Sequence, residues 1–245
     1  MIEAVAGVEF GAAWDFAPAS AEVVNTLRGE YRTSAFLPAI PPTPVGEGDS
    51  VFQTFFSAGV GPAPVRLQLT SADNVWVAQL QADRLTVNWR RVDEGTVYPG
   101  YGEMQRRLEQ LLAAGTAQIP GGALRPTTLE YTYVNGINRP APEVFRLLNP
   151  DVFGDPDLEG VEVRFQVSVP NPSGRVALSV EPRLEGGQRG SVLTVVSNYF
   201  VAGAVDMHHL LQLVDSAHVQ ARHAFAWITT DAARFAWGES QHDND

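Results

Sequence analysis

Four of the five histidines, His208, His209, His218 and His223, fall in one long apolar-periodic stretch near the C-terminus. A helical metal site wants two imidazoles at i, i+4, one turn apart. The spacings here are one, nine and five, so no metal is expected. Asp215, His218 and Arg222 do share a helix face at i, i+3 and i+7. That row could place an acid, an imidazole and a guanidinium together, or be an ion-paired helix flank. A second set is Arg84, Asn88 and Arg90, with Asp83 at a turn. They form the polar row of an alternating strand, in which Asn is unfavourable by propensity. The row could line a groove, or it could be a hydrogen-bonded network. A third set is Tyr131, Tyr133 and Asn135, on one face at strand period. Phenols there could orient a ligand, or pack their rings and find one hydroxyl partner each.

Composition removes other chemistries. The 245 residues include no Lys and no Cys. Schiff-base formation, a phosphate-loop lysine, a thiolate nucleophile and zinc–thiolate or iron–sulfur sites are therefore absent. The chain lacks a GxSxG elbow, an HExxH pair and a nucleotide-binding glycine loop; Gly59-Val60-Gly61 has no third glycine. The 28 acidic residues leave paired-carboxylate hydrolysis open. They outnumber 17 basic ones, giving a net charge of −11 that opposes general nucleic-acid binding. No cofactor is expected. The first residues carry no basic cluster and no apolar run reaches membrane-spanning length, so a cytoplasmic location is expected.

The elements that must position these residues centre on Val75 to Arg91. This stretch reads as two strands on a tight turn. Leu85, Val87 and Trp89 alternate with Thr86, Asn88 and Arg90. Val75, Trp76 and Val77 are apolar on both faces, which predicts an interior strand. Before it, strands are expected over 2–10, 51–57 and 65–70. A short helix is capped by Ser20, and a proline-rich loop runs over 36–49. After it comes a helix carrying Tyr101, Met104, Leu108, Leu111 and Leu112, stopped by Gly115. Past a breaker-rich connection the order begins again: a strand over 127–134, a short helix over 142–148, and strands over 161–167, 176–180 and 192–201. The long helix from Asp206 to Ile228 follows. Asp206 is its cap, with Val205 and Leu210 placed for a hydrophobic staple. A last helical turn from Thr230 carries Phe235 and Trp237.

The expected class is α+β. Two pseudo-repeated halves, 1–118 and 127–238, flank a linker at 119–126, with a disordered tail at 239–245. Each half is an antiparallel sheet with a short helix and a long covering helix. The plan is similar to TATA-binding-protein-like and helix-grip folds.

Six pieces of sequence also carry a family resemblance. They are Glu3-Ala4-Val5 with Phe10; Gln79-Leu80-Gln81-Ala82-Asp83-Arg84-Leu85 followed by Asn88-Trp89-Arg90; Tyr98-Pro99; Tyr131 to Ile137; Ala217-His218 with Phe225; and Trp237-Gly238 after Thr230. Together they resemble a sporadically distributed bacterial family of uncharacterised proteins about this long. The resemblance implies no activity and no catalytic residues. The family's patchy distribution is that of mobile accessory genes, such as toxin–antitoxin or phage-defence neighbours. The resulting expectation is a non-enzymatic binding or regulatory module contacting a protein partner. The alternatives are a small-ligand receptor with its cavity between sheet and C-terminal helix, and a hydrolase.

Overall fold

The structure, a computed structural model, describes residues 1–11, 15–39, 65–117, 124–137, 144–146, 163–170, 172–185 and 188–236. In chain order the elements are β1 (Glu3–Phe10), α1 (Phe16–Leu27), β2 (Tyr31–Pro38), β3 (Val65–Ser71), β4 (Trp76–Gln81), β5 (Arg84–Arg90), α2 (Tyr101–Thr116), β6 (Pro126–Ile137), β7 (Val163–Pro170), β8 (Ser173–Glu185), β9 (Gln188–Phe200), α3 (Met207–Ile228) and α4 (Asp231–Ala236). The class is α+β, as expected.

In place of separate sheets there is one nine-stranded sheet, ordered β2-β3-β4-β5-β1-β6-β9-β8-β7, with every neighbouring pair antiparallel. The joint is β1, which pairs with β5 on one side and β6 on the other. Its inward side chains, Ala4, Ala6 and Val8, are small and at most 1% exposed. Gly7 faces the opposite way, where an added Cβ would lie 2.8 Å from a methyl of Thr86 on β5.

The helices cover one face of this sheet. Alternation on β5 puts Leu85, Val87 and Trp89 inward, as expected, at 0%, 0% and 1% exposure. Burying each such side chain contributes roughly 1.5–3 kcal/mol. α2 lays Met104, Leu108, Leu111 and Leu112 on β5, while α3 lays Leu210, Val214, Ala217 and Ala221 on β6 and β9. α1 packs on α2 through Ala19, Val23 and Leu27. Both strands of the Val75–Arg91 hairpin form, and β4 is interior with all six residues buried.

Three element bounds differ from the sequence reading. α1 starts at Phe16, because the Asp15 carboxylate caps the Ala17 N–H. Ser20 sits inside that helix and returns its hydroxyl to the Ala17 carbonyl. β2 runs on to Pro38, into the segment expected as loop. Gly115 does not stop α2, which continues to Thr116. An added Cβ there would lie 2.9 Å from both Leu85 methyls, so this glycine serves close helix–sheet approach. The Asp206 cap of α3 forms, its carboxylate accepting from the His209 N–H at 2.7 Å. The strand expected over 51–57, most of the helix over 142–148, most of the linker, Trp237 and the tail lie outside the described residues.

Candidate functional site

The sheet separates the sequence-selected residues into two groups on opposite faces. Arg84, Asn88 and Arg90 lie on the face away from the helices. There, β1 and β5 register Glu3 against Arg90, Val5 against Asn88, and Glu9 against Arg84. Asn88 donates its amide to Glu3 at 2.9 Å and accepts from Gln79 at 3.3 Å. Arg84, 6% exposed, forms an ion pair with Glu9. Arg90 donates Nε–H to the Asn74 carbonyl at 2.7 Å. This is a hydrogen-bonded and ion-paired network across adjacent strands.

The second group lies under the helices. Tyr131 and Tyr133 point from β6 toward α2 and α3, and Asn135 follows on the same side, 9% exposed. The His218 ring stacks on Tyr101 of α2, with centroids 3.8 Å apart and planes at 1°. It meets Tyr131 and Tyr133 edge-on, at 5.1 and 6.1 Å. Tyr98 hydrogen-bonds Tyr131 hydroxyl to hydroxyl at 3.0 Å and lies edge-on to Trp89 at 5.2 Å. The rings thus fill the space between sheet and helices in which a ligand cavity was expected. Burial raises the phenol pKa of Tyr98, Tyr101, Tyr131 and Tyr133, keeping them neutral. Burial first, and the charge of Arg222 second, push the His218 imidazole down to about 4. Its Nδ1 has no hydrogen-bond partner among the described residues.

The row Asp215, His218, Arg222 is divided by depth. His218 is 7% exposed, whereas Asp215 and Arg222 are at the surface. His208, His209 and His223 are exposed, and among the described residues no cluster of three His, Cys, Asp or Glu side chains could hold a metal ion. No helix among the described residues is long and apolar enough to cross a membrane.

A further site was missed in the sequence. Beside the central hairpin a cavity of about 530 Å³ opens to solvent, lined by Asp73, Val75, Trp76, Trp89, Val92, Asp93, Thr96, Val97 and Pro99. Two elements shape it. The β3–β4 turn passes through Asn74 at φ +62°, a left-handed conformation that Asn tolerates. The Asp73 carboxylate accepts from the Ser71 hydroxyl and the Val75 N–H, while the Ser71 hydroxyl accepts from the Trp76 N–H. The segment after β5 folds so that Asp93 accepts from the Thr96 hydroxyl at 2.7 Å. Trp76 and Trp89 are directly opposed on β4 and β5. The Arg107 guanidinium stacks 4.4 Å from the centroid of Trp76 and fixes that ring. Hydrogen bonds from Ser71 and Thr96 hold the Asp73 and Asp93 carboxyls below the usual carboxylate range, so both are anionic at neutral pH. Trp89 Nε1–H has no acceptor among the described residues. Val92 and Val97 are 44% and 80% exposed. The one signal in the sequence was two valines bracketing Asp93-Glu94-Gly95-Thr96, apolar residues in a polar turn.

No family model matches the chain, and no curated protein matches it.

Proposed function

We propose that the chain is a non-enzymatic binding module, and that the hollow beside Trp76 and Trp89 receives a basic side chain of a protein partner. The observation carrying this reading is the composition of the hollow: an aromatic floor, two anionic carboxylates and two exposed valines. A guanidinium or ammonium fits between such groups, its stem on the exposed Val92 and Val97 and its charge at the carboxylates. The net charge of −11 adds long-range attraction for a basic partner. His218 and the tyrosines support the same reading, because their contacts account for them as packing.

A photo-crosslinker placed at Val97 in the native host tests the proposal. The expected product joins the chain to a partner through a basic surface, and Asp73→Asn with Asp93→Asn removes it. Retention of the product in that double variant, or no product at all, overturns the proposal. A free organic cation is the second reading, favoured by a volume within the range of small-molecule sites. Binding of guanidinium-bearing small molecules as tightly as of arginine-bearing peptides would select it.

The finer architecture is also a proposal. In each half the first strand lies beside the last, β1 beside β5 and β6 beside β9, and the order then descends outward. The two first strands meet antiparallel at the centre. This supports a pseudo-duplication of the TATA-binding-protein-like or helix-grip kind; membership of the sporadic bacterial family rests on the sequence motifs alone. A toxin-like or defence-like reading frame beside the gene would support an accessory role, and a metabolic operon would count against one.

A further inference from the structure

We propose that β7 is a self-association edge, across which two copies of the chain join their sheets around a two-fold axis at Gln166. This interface is independent of the hollow and involves the opposite half of the chain.

The two ends of the sheet are built differently. β2 carries the usual defences of an edge: a register shift between Tyr31 and Thr33, the charge of Arg32, and a terminal Pro38. β7 pairs with β8 without a break from Val163 to Pro170. Like β2 it carries one arginine, Arg164, which pairs with Glu181 at 3.4 Å, and it ends in a proline; what it lacks is the register shift. Among the described residues no strand lies beyond it. Its helix-side row is Val163, Phe165, Val167 and Val169. α3 packs mainly on β6 and β9, so this row is covered only in part. Val167 remains 53% exposed, and Trp227, edge-on to Phe165 at 6.1 Å, remains 52% exposed. A strand in unbroken register with an open apolar row is a template for another strand.

The sequence of β7 selects the occupant. A two-fold axis normal to the sheet keeps each face with itself, so it must pass through a residue. Centred on Gln166, it pairs Val163 with the partner subunit's Val169, Arg164 with the partner's Ser168, and Phe165 with the partner's Val167. Gln166 meets its own copy. Seven residues pair, apolar with apolar on the helix side and polar with polar on the other. No like charges meet, and Pro170, which has no N–H to give, falls outside the ladder. A centre at Arg164 would oppose two guanidinium groups. Over the described residues of β7, centres at Phe165 or Ser168 shorten the ladder, and one at Val167 brings Pro170 into it. In the chosen register Trp227 lies over the partner's Val167, which buries the exposed ring. An isologous contact of this kind closes on two subunits.

Sedimentation velocity on the full chain, from micromolar to submillimolar concentration, is the first measurement; a reversible monomer–dimer equilibrium is expected. Ser168→Glu places a carboxylate opposite the partner's Arg164 twice per dimer and should tighten association roughly fivefold. Ser168→Arg should weaken it by about as much, and Val167→Lys should abolish it. The absence of Cys allows a check that does not depend on affinity. Gln166→Cys should form a disulfide-linked dimer under mild oxidation, because residues directly opposed on paired strands lie within disulfide reach. Val92→Cys, at the far hollow, should not. A chain that stays monomeric at the highest concentration overturns the proposal. So does a dimer indifferent to Ser168 that does not crosslink through position 166, and so does an edge that takes up only a foreign strand.

Discussion

Replacing His218 with Phe should flatten the pH dependence of stability between neutrality and mild acid. In the folded chain the His218 imidazole titrates near 4, lowered by burial against Tyr101, Tyr131 and Tyr133 and by the positive charge of Arg222. In the unfolded chain it should titrate near 6.5. The unfolded state thus takes up a proton that the folded state refuses across this window, so stability falls as pH falls through it and is fully present above it. Asp215, one turn away on the exposed side, does not reverse this, since the shift remains downward. Integrating between the two values, the wild type loses roughly 2 kcal/mol from pH 7 to pH 5, and about 3 kcal/mol once pH is below 4. Phe keeps a flat ring over Tyr101 and removes the titration. Urea unfolding of both proteins at the two pH values isolates the effect, because contributions from the other titrating groups cancel in the difference. The variant should gain on the wild type by about 2 kcal/mol on going from pH 7 to pH 5. Equal pH slopes in the two proteins would show that the imidazole is not closed in by the tyrosines.

Three further outcomes follow from the packing. Hydrogen bonds from Arg106 and Arg107 hold the Glu103 carboxyl down to about 2, a lowered value whose stabilisation is present above the ordinary carboxylate pKa and lost on acidification through about 2. Glu103→Gln should therefore cost on the order of 1 kcal/mol at pH 7, discounted for partial exposure, with the difference closing below pH 3 in denaturant titrations. Gly174→Ala would put a Cβ 2.4 Å from the Asn198 carbonyl oxygen and 2.3 Å from a Tyr199 ring carbon. Backbone cannot yield there as a side chain can, so a loss of about 3 kcal/mol is expected by calorimetry. Tyr131→Phe deletes the hydroxyl bonded to Tyr98 at 3.0 Å and should cost about 1 kcal/mol in urea unfolding without changing the circular dichroism spectrum.

The strands were legible where one face is buried. Leu85, Val87 and Trp89 alternate with polar residues and turn inward as that pattern predicts, although Arg84 and Thr86 on the other face are buried too. Asp206 before a long apolar stripe gave the start of α3, since a carboxylate cap is a local device. Local rules misled where a distant contact decides. Gly115 has the form of a helix stop, but Leu85, thirty residues earlier, presses on it and the helix continues. Ser20 has the form of a cap, but Asp15 holds that position and Ser20 bonds backward within the turn. The joining of the two halves was not legible at all. Ala4, Ala6 and Val8 state that β1 is buried, but nothing in their types states that Tyr131 and Tyr133 rather than solvent lie beside them.

The same geometry explains why residue types alone pointed to chemistry that the fold does not assemble. Arg84 and Asn88 on β5 belong to the face turned from the helices; Tyr131 and Tyr133 belong to the helical face of β6, with only β1 between the two strands. A backbone layer separates the arginines from the phenols, so they cannot share a substrate. Each group is then closed by its own neighbours, Glu3, Gln79 and Glu9 on one side and Tyr98, Tyr101 and His218 on the other. Most of the polar atoms in each group are spent on one another, the exceptions among the described residues being Gln79 Oε1, the Tyr101 hydroxyl and His218 Nδ1. What remains outward-facing among the described residues is the hollow with its valines and carboxylates beside Trp76 and Trp89, and the edge of β7 with Trp227 beside it. The hollow beside β4 and β5 and the edge at β7 lie in different halves of the sheet, so under the two proposals made above one partner and a second copy of the chain would not compete for the same surface.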